Sequence, residues 1–124
     1  MSIEEYYQAQ LAAVASSPYV QTYDIELDKR GPRLGLICGE VRFLGGFLLF
    51  YRELVDLEFE PLRAMYSYHF QKADSQLIFR YDDTAHHPDL SGFPHHKHSG
   101  TERNVIPSNA PDLPRVLREI ESLL

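Results

Sequence analysis

Five of the six histidines in this 124-residue chain fall within thirteen residues, between His86 and His98. Histidine can bind or release a proton near neutral pH, and it is also a common metal ligand. The segment contains His86, His87, His95, His96 and His98, with Lys97 among them and Arg80, Tyr81 and Asp82 just upstream. This concentration of proton-transferring and charged side chains predicts that the chemistry of the protein is located here.

The first interpretation of the segment is metal-independent acid/base catalysis on RNA. A base must take the proton of a 2′-hydroxyl, an acid must protonate the leaving oxygen, and a cation must stabilise charge on the phosphate oxygens. We predict that His96 and His98 transfer the protons. Lys97 and Arg80 would contact the phosphate, and Asp82 would orient a histidine. The predicted RNA contacts, some of them able to stack on unpaired bases, are Tyr81, His86, His87, Phe93, His95 and Arg103.

The second interpretation is a non-catalytic module that binds a metal or a partner through the same segment. If residues 95–98 are extended, His96 and His98 point to the same side, because side chains alternate along a strand. Together with His86 they would hold Zn²⁺ or another divalent metal. A third interpretation makes the histidines solvated loop residues or partners in local hydrogen bonds. Arg80 and Asp82 can likewise be interpreted as an ion pair without a catalytic role, and such a pair adds little to the stability of the fold at an exposed site.

Length and composition limit the class of protein. A chain of 124 residues predicts one domain over residues 1–124. No apolar run approaches the roughly 20 residues of a membrane helix, and the N-terminus does not resemble a secretory signal. Cys38 is the only cysteine, so an intramolecular disulfide and a cysteine-based zinc site are excluded. Its neighbours Leu36 and Ile37 predict a core thiol, and these features together favour the reducing cytoplasm.

The formal net charge of −6 argues against nucleic-acid binding by bulk electrostatics. It leaves a local site open, because the segment from Arg80 to Arg103 holds three bases and five histidines beside four acids. Much of the acidic excess lies at Glu53, Asp56, Glu58 and Glu60. We interpret that stretch as a solvated surface or as a face for a basic partner.

The elements that must position these side chains follow from periodicity and turn signals. Ser2 and Glu5 have the spacing of a capping box, and apolar residues at helical spacing predict a helix over Ile3–Ala15. Period-two alternation predicts a strand over Tyr19–Leu27, and turn signals separate further predicted strands over Leu34–Leu44, Phe47–Leu57, Met65–Gln71 and Leu77–Asp82. The histidine segment is predicted as a loop with a short edge strand near His95–His98. A last helix carries Leu113 to Leu124, capped by Asn109 or Asp112.

The predicted fold class is therefore α+β: an antiparallel β-meander of four to five strands with an N-terminal and a C-terminal helix packed on it. In the fourth strand Tyr66, Tyr68 and Phe70 share one face, and Ser67, His69 and Gln71 share the other. If the polar face lines a groove, His69 joins the site. An exposed sheet edge would also permit a homodimer.

The run LIFRYDDTAHHPDLSGFPHHKH, followed by NVIPSNAPDLPRVLREI, resembles the signature of the TumE-type family of small prokaryotic proteins. The matching positions are Arg80 to Asp82, His86 to Pro88, Phe93 to His98, and Pro107 to Ile120, and the resemblance as a whole extends over roughly the last sixty residues. The resemblance implies the toxin of a type II toxin–antitoxin pair, with a cognate antitoxin as partner and RNA as substrate. The catalytic roles of single residues rest on side-chain chemistry and not on the resemblance.

Overall fold

The computed structural model describes residues 1–59, 62–85, 87 and 89–124. In this part of the chain seven strands form one antiparallel sheet, and their order in the sheet follows their order in the sequence. The strands are β1 (Val20–Lys29), β2 (Leu34–Phe43), β3 (Leu48–Asp56), β4 (Arg63–Gln71), β5 (Leu77–Asp82), β6 (His96–Ser99) and β7 (Val105–Pro107). Helix α1 (Ile3–Ala15) precedes the sheet and α2 (Leu113–Leu123) follows it.

The predicted α+β meander with two terminal helices is confirmed, but four to five strands is an underestimate. Strand β6, of four residues, corresponds to the short strand predicted near His95–His98, whereas β7, of three residues, was not predicted. They form because β5 offers an edge to which β6 pairs, and β6 in turn pairs with β7. The strand in the histidine segment is consequently an inner strand of the sheet and not the predicted edge.

Both helices begin where the sequence predicts. Ser2 caps α1, and the capping box forms: its hydroxyl accepts from Glu5 N at 3.1 Å and the Glu5 carboxylate accepts from Ser2 N at 3.0 Å. Asp112 caps α2 by accepting from Arg115 N at 3.0 Å. The buried side of α2 joins the same apolar core as Tyr68 and Phe70. Neither helix in the described residues is long and apolar enough to cross a membrane.

The sheet has one covered face and one open face. Tyr66, Tyr68 and Phe70 of β4 are buried in the core that the helices share, as predicted. Their neighbours Ser67 and His69 point to the other face and are half-buried. Because side chains alternate along every strand, the position of a residue within its strand decides which face it reaches.

Alternation also explains two predictions that are wrong. Cys38 is exposed and not a core thiol, because β2 directs Ile37 into the core and Cys38 outward, opposite Arg52 of β3. Glu53 is not part of an acidic surface but is fully buried on the covered face of β3. Glu60, which belonged to the same predicted acidic surface, lies outside the described residues.

Candidate active site

Four of the five residues predicted as catalytic lie together on the sheet face opposite the helices, and three of them, Asp82, His96 and His98, are buried there. Arg80 of β5 is opposite His98 of β6, and Asp82 is opposite His96. Within each strand the two residues are separated by one, so all four side chains reach the same face. The strand register alone therefore brings two imidazoles, a carboxylate and a guanidinium into one cluster.

Asp82 is the centre of this cluster. Its Oδ1 lies 2.8 Å from His96 Nε2 and also accepts from the backbone N–H and the hydroxyl of Thr84, at 3.1 and 2.8 Å. Its Oδ2 accepts from Arg80 Nε at 3.1 Å and lies 3.8 Å from His98 Nε2. Burial would raise the pKa of the Asp82 carboxyl, but the hydrogen bonds from Thr84 and the neighbouring His96 and Arg80 outweigh burial and lower it. Asp82 is therefore an anion that orients its neighbours.

The buried His96 ring has an acceptor at each nitrogen. Nδ1 lies 3.0 Å from the backbone oxygen of Pro94, and Nε2 lies 2.8 Å from the Asp82 carboxylate. A carbonyl oxygen and a carboxylate can only accept, so both hydrogen bonds form together only when both ring nitrogens carry protons. The surroundings of His96 thus suit a proton donor.

The surroundings of His98 are different. Its Nδ1 lies 2.8 Å from the backbone oxygen of Glu102 and donates to it, whereas Nε2 lies 3.2 Å from Arg80 Nη2. Arginine has no acceptor, so Nε2 must offer its lone pair to the guanidinium. This arrangement fits the neutral ring, with its basic nitrogen directed toward Arg80.

Arg80 connects the buried cluster to solvent. Its guanidinium forms a double ion pair with the Glu102 carboxylate, with both N–O distances 2.6 Å. The Glu102 side chain is 54% exposed and the Arg80 side chain 26%. The outer side of the guanidinium is thus occupied by a carboxylate that can turn into solvent.

A third imidazole completes a possible metal-ligand set. His87, in the segment between β5 and β6, places its ring centroid 5.0 Å from that of His96 and 6.2 Å from that of His98. One potential ligand atom from each of the three residues lies within 4.8 Å of the others. However, both nitrogens of His96 and of His98 already have partners, so a metal would have to displace Asp82, Arg80 or a backbone carbonyl.

Lys97 and Tyr81 do not join the cluster, although both were predicted as site residues. Each lies between two cluster residues in its strand, so alternation directs it to the covered face. There Lys97 Nζ lies 2.8 Å from Glu119 Oε2, and the Tyr81 hydroxyl donates to Glu119 Oε1 at 2.5 Å. Burial alone would lower the pKa of Lys97, but its bonds to Glu119 and Tyr81 raise it. The predicted phosphate contact of Lys97 is therefore corrected to an ion pair with α2.

The remaining predicted RNA contacts are dispersed. His95 stacks on Tyr66 with ring centroids 5.7 Å apart, and its Nδ1 lies 2.9 Å from the Tyr66 hydroxyl. Phe93 is 44% exposed in the loop before β6, and Arg103 is exposed in the turn between β6 and β7. His86, which was also the third ligand of the predicted metal site, lies outside the described residues.

Three further residues contribute to the site. Two of them, Thr84 and Glu102, were not predicted from the sequence, and the third, His69, was predicted only under a condition. Thr84 follows Asp82 by two residues, a spacing at which an aspartate commonly accepts from the backbone. Glu102 depends on the hairpin between β6 and β7, which was not predicted. His69 lies directly opposite Arg80 on the open face and lines a groove of about 400 Å³. The polar face of β4 thus lines a groove, which was the condition for including His69 among the site residues.

Fold and site together define an α+β protein with a histidine–aspartate–arginine cluster on the open face of a seven-stranded sheet. The model of the family described as Toxin TumE matches residues 10–124, and the chain belongs to this family. The resemblance found in the last sixty residues is thus confirmed over almost the whole chain, and it identifies a toxin-family protein. No curated protein and no solved structure matches the chain.

Proposed function

We propose that the protein is the toxin of a type II toxin–antitoxin pair and that it cleaves RNA by acid/base chemistry at His96 and His98. Membership in a toxin family supports the class and a cognate antitoxin as partner. The observation that supports the chemistry is the contact between two buried histidines, a carboxylate and a guanidinium on one sheet face. The reaction would take place in the cytoplasm.

The proposed reaction needs only proton transfers and charge stabilisation. The 2′-oxygen attacks the adjacent phosphorus, and the bond from phosphorus to the 5′-oxygen breaks. One proton leaves the 2′-hydroxyl and one is added to the 5′-oxygen, which gives a cyclic 2′,3′-phosphate and a 5′-hydroxyl. Two side chains that begin in opposite protonation states can perform both transfers.

The hydrogen bonds of the two rings support one assignment of the base and the acid. His98 acts as the base, since Nδ1–H is held by the Glu102 carbonyl and the lone pair of Nε2 is available once Arg80 turns to the phosphate. His96 acts as the acid, since its Nε2 proton rests on Asp82 Oδ1 until the leaving oxygen replaces that acceptor. A backbone carbonyl fixes each ring through Nδ1, so both Nε2 atoms are directed toward Asp82 and Arg80.

Arg80 provides the cation, and the phosphate must first displace Glu102 from it. Glu102→Gln is expected to tighten the binding of a non-cleavable single-stranded RNA by roughly 2- to 5-fold, the range that fits the loss of one exposed ion pair. Fluorescence anisotropy at low salt measures this change. Glu58→Gln removes the same charge from an exposed turn and is expected to leave affinity unchanged. Weaker binding by the Glu102 variant would exclude the displacement.

A second candidate function is a non-catalytic metal-binding module. The three imidazoles of His87, His96 and His98 favour it, because their potential ligand atoms lie within 4.8 Å of one another. A metal held by all three rings would take one present contact from His96, with Asp82 or the Pro94 carbonyl, and one from His98, with Arg80 or the Glu102 carbonyl. Purified protein that retains one metal ion per chain and loses stability with a chelator would support this function.

The experiment that tests the proposed function is induced expression of the wild type and of the His96→Ala/His98→Ala variant. We expect growth arrest and RNA loss with the wild type only, and a reduction of cleavage by on the order of 1,000-fold or more in vitro, because both proton transfers are lost. His95→Ala removes an imidazole from the same segment that stacks on Tyr66 outside the cluster, and it should reduce cleavage far less than the double variant does. RNA cleavage by the double variant would refute the proposal.

A further inference from the structure

One row of side chains leads across the open face to the histidine cluster. Phe50 of β3 is opposite His69 of β4, His69 is opposite Arg80 of β5, and Arg80 is opposite His98 of β6. Neighbouring strands lie about 4.8 Å apart, so the row spans roughly 14 Å from β3 to β6. The row therefore connects the proposed reacting group to a part of the sheet that the proposed reaction does not use.

The far end of this row is aromatic and accessible. Phe50 is 38% exposed although it lies in the middle of a strand. Its ring centroid is 6.2 Å from that of His69, and the planes are tilted by 57°, so the two rings do not stack on each other. Both rings line the groove of about 400 Å³, which falls within the size range of small-ligand sites.

Charge differs between the two ends of this groove. Arg52 and His69 line the end nearest the cluster, and Arg80 follows. Arg52 is exposed, and no ion pair involves it among the residues that the structure describes. Asp24, Glu26 and Glu40 line the opposite end, on β1 and β2. A polyanion would be attracted over β3 to β6 and repelled from the first two strands.

We propose that this face binds single-stranded RNA, with an unpaired base stacked on Phe50 beside His69 and the adjoining backbone directed by Arg52 toward Arg80 and His98. The inference rests on the proposed function and names the substrate as unpaired RNA. Aromatic side chains on an open sheet stack two or three bases in other RNA-binding proteins, and such stacking tolerates any sequence. A duplex keeps its bases stacked inside and cannot offer one to Phe50.

The absence of tryptophan from the chain permits a direct test. Phe50→Trp places a single tryptophan on the face, and its fluorescence should be quenched saturably by a single-stranded 2′-O-methyl RNA of about ten nucleotides, which cannot be cleaved. The same sequence as a duplex should quench much less. Phe59→Trp is the matched control, since Phe59 is 65% exposed in the turn after β3 and away from the row. This control should show no quenching.

A second variant separates stacking from folding. Phe50→Leu keeps an apolar side chain in the strand but removes the aromatic ring, and it should weaken binding of the same RNA by on the order of 10-fold, as measured by anisotropy. If the RNA binds without quenching the fluorescence of Phe50→Trp, this inference is overturned. The proposed function is then still supported if cleavage depends on His96 and His98. Quenching of Phe50→Trp by RNA that the wild type never cleaves would support the binding face and refute the catalysis.

Discussion

Asp82→Asn is expected to reduce RNA cleavage by on the order of 100-fold or more while leaving the protein folded. The variant keeps the shape of the side chain but removes its charge. An asparagine must also place an NH₂ group where the carboxylate had an acceptor, next to the donors of Arg80, His96 or Thr84. Two donors then face each other, so the orientation of His96 and of the guanidinium is lost.

The measurement is the initial rate of cleavage of a single-stranded RNA at neutral pH, with circular dichroism to verify folding. Asp83→Asn is the matched control. Its carboxylate accepts from the backbone N–H of Tyr66 at 3.2 Å, a contact that an asparagine oxygen can maintain. Cleavage at the wild-type rate by the Asp82 variant would show that the carboxylate does not orient the reacting histidine.

The same variant has an expected signature in stability. The pKa of Asp82 is lower in the folded protein than its ordinary value, so the carboxylate stabilises the fold at pH values above its unfolded pKa of about 4. This contribution decreases as the pH falls through the lowered folded pKa. The stability difference between wild type and Asp82→Asn should therefore shrink as the pH falls below about 4. Urea unfolding at pH values on both sides of this point measures the difference.

Much of the fold follows from local chemistry in the sequence. The Ser2–Glu5 capping box and the alternation of Tyr66 to Gln71 predict structure correctly, because each depends only on residues close in the chain. Strand β7 has no such local signal, and no local signal places β6 inside the sheet instead of at its edge. Both strands are stabilised by pairing, β6 with β5 and β7 with β6. Pairing between strands that are distant in sequence leaves no periodic pattern from which it could be predicted.

The site residues likewise divide into those predicted from local sequence and those that depend on distant strand pairing. The prediction that His96 and His98 point to one side depended on alternation, and the structure places them so. Lys97 was grouped with them by proximity in sequence, whereas the same alternation directs it to the covered face. Adjacent residues of a strand direct their side chains to opposite faces of the sheet, so closeness in sequence does not place them in one site. The partnership of Arg80 with Glu102 requires the β6–β7 hairpin and was beyond local reasoning.

Glu53 provides the second large expected effect, on stability instead of catalysis. The carboxylate is fully buried on the covered face and accepts hydrogen bonds from the hydroxyls of Tyr6 and Tyr68, at 2.5 and 2.6 Å. Gln10 Nε2 lies 3.2 Å from both carboxylate oxygens. Since Tyr6 and Gln10 belong to α1, the buried anion connects this helix to the sheet. Burial raises the pKa of Tyr6 and Tyr68, so both remain donors at any ordinary pH.

Glu53→Ala should lower the free energy of unfolding by about 3–5 kcal/mol, because it leaves the hydroxyls of Tyr6 and Tyr68 without an acceptor, while Gln10 Nε2 keeps only the Tyr6 oxygen. Denaturant unfolding measures the loss, with Glu58→Ala in the exposed turn as control, expected to change stability by no more than about 0.5 kcal/mol. Adding Tyr6→Phe and Tyr68→Phe to Glu53→Ala should cost less than the sum of the separate changes, since the orphaned hydroxyls are removed. Strict additivity would contradict the network. Because Glu53 faces away from the histidine cluster, the surviving folded fraction should still cleave RNA at the wild-type rate.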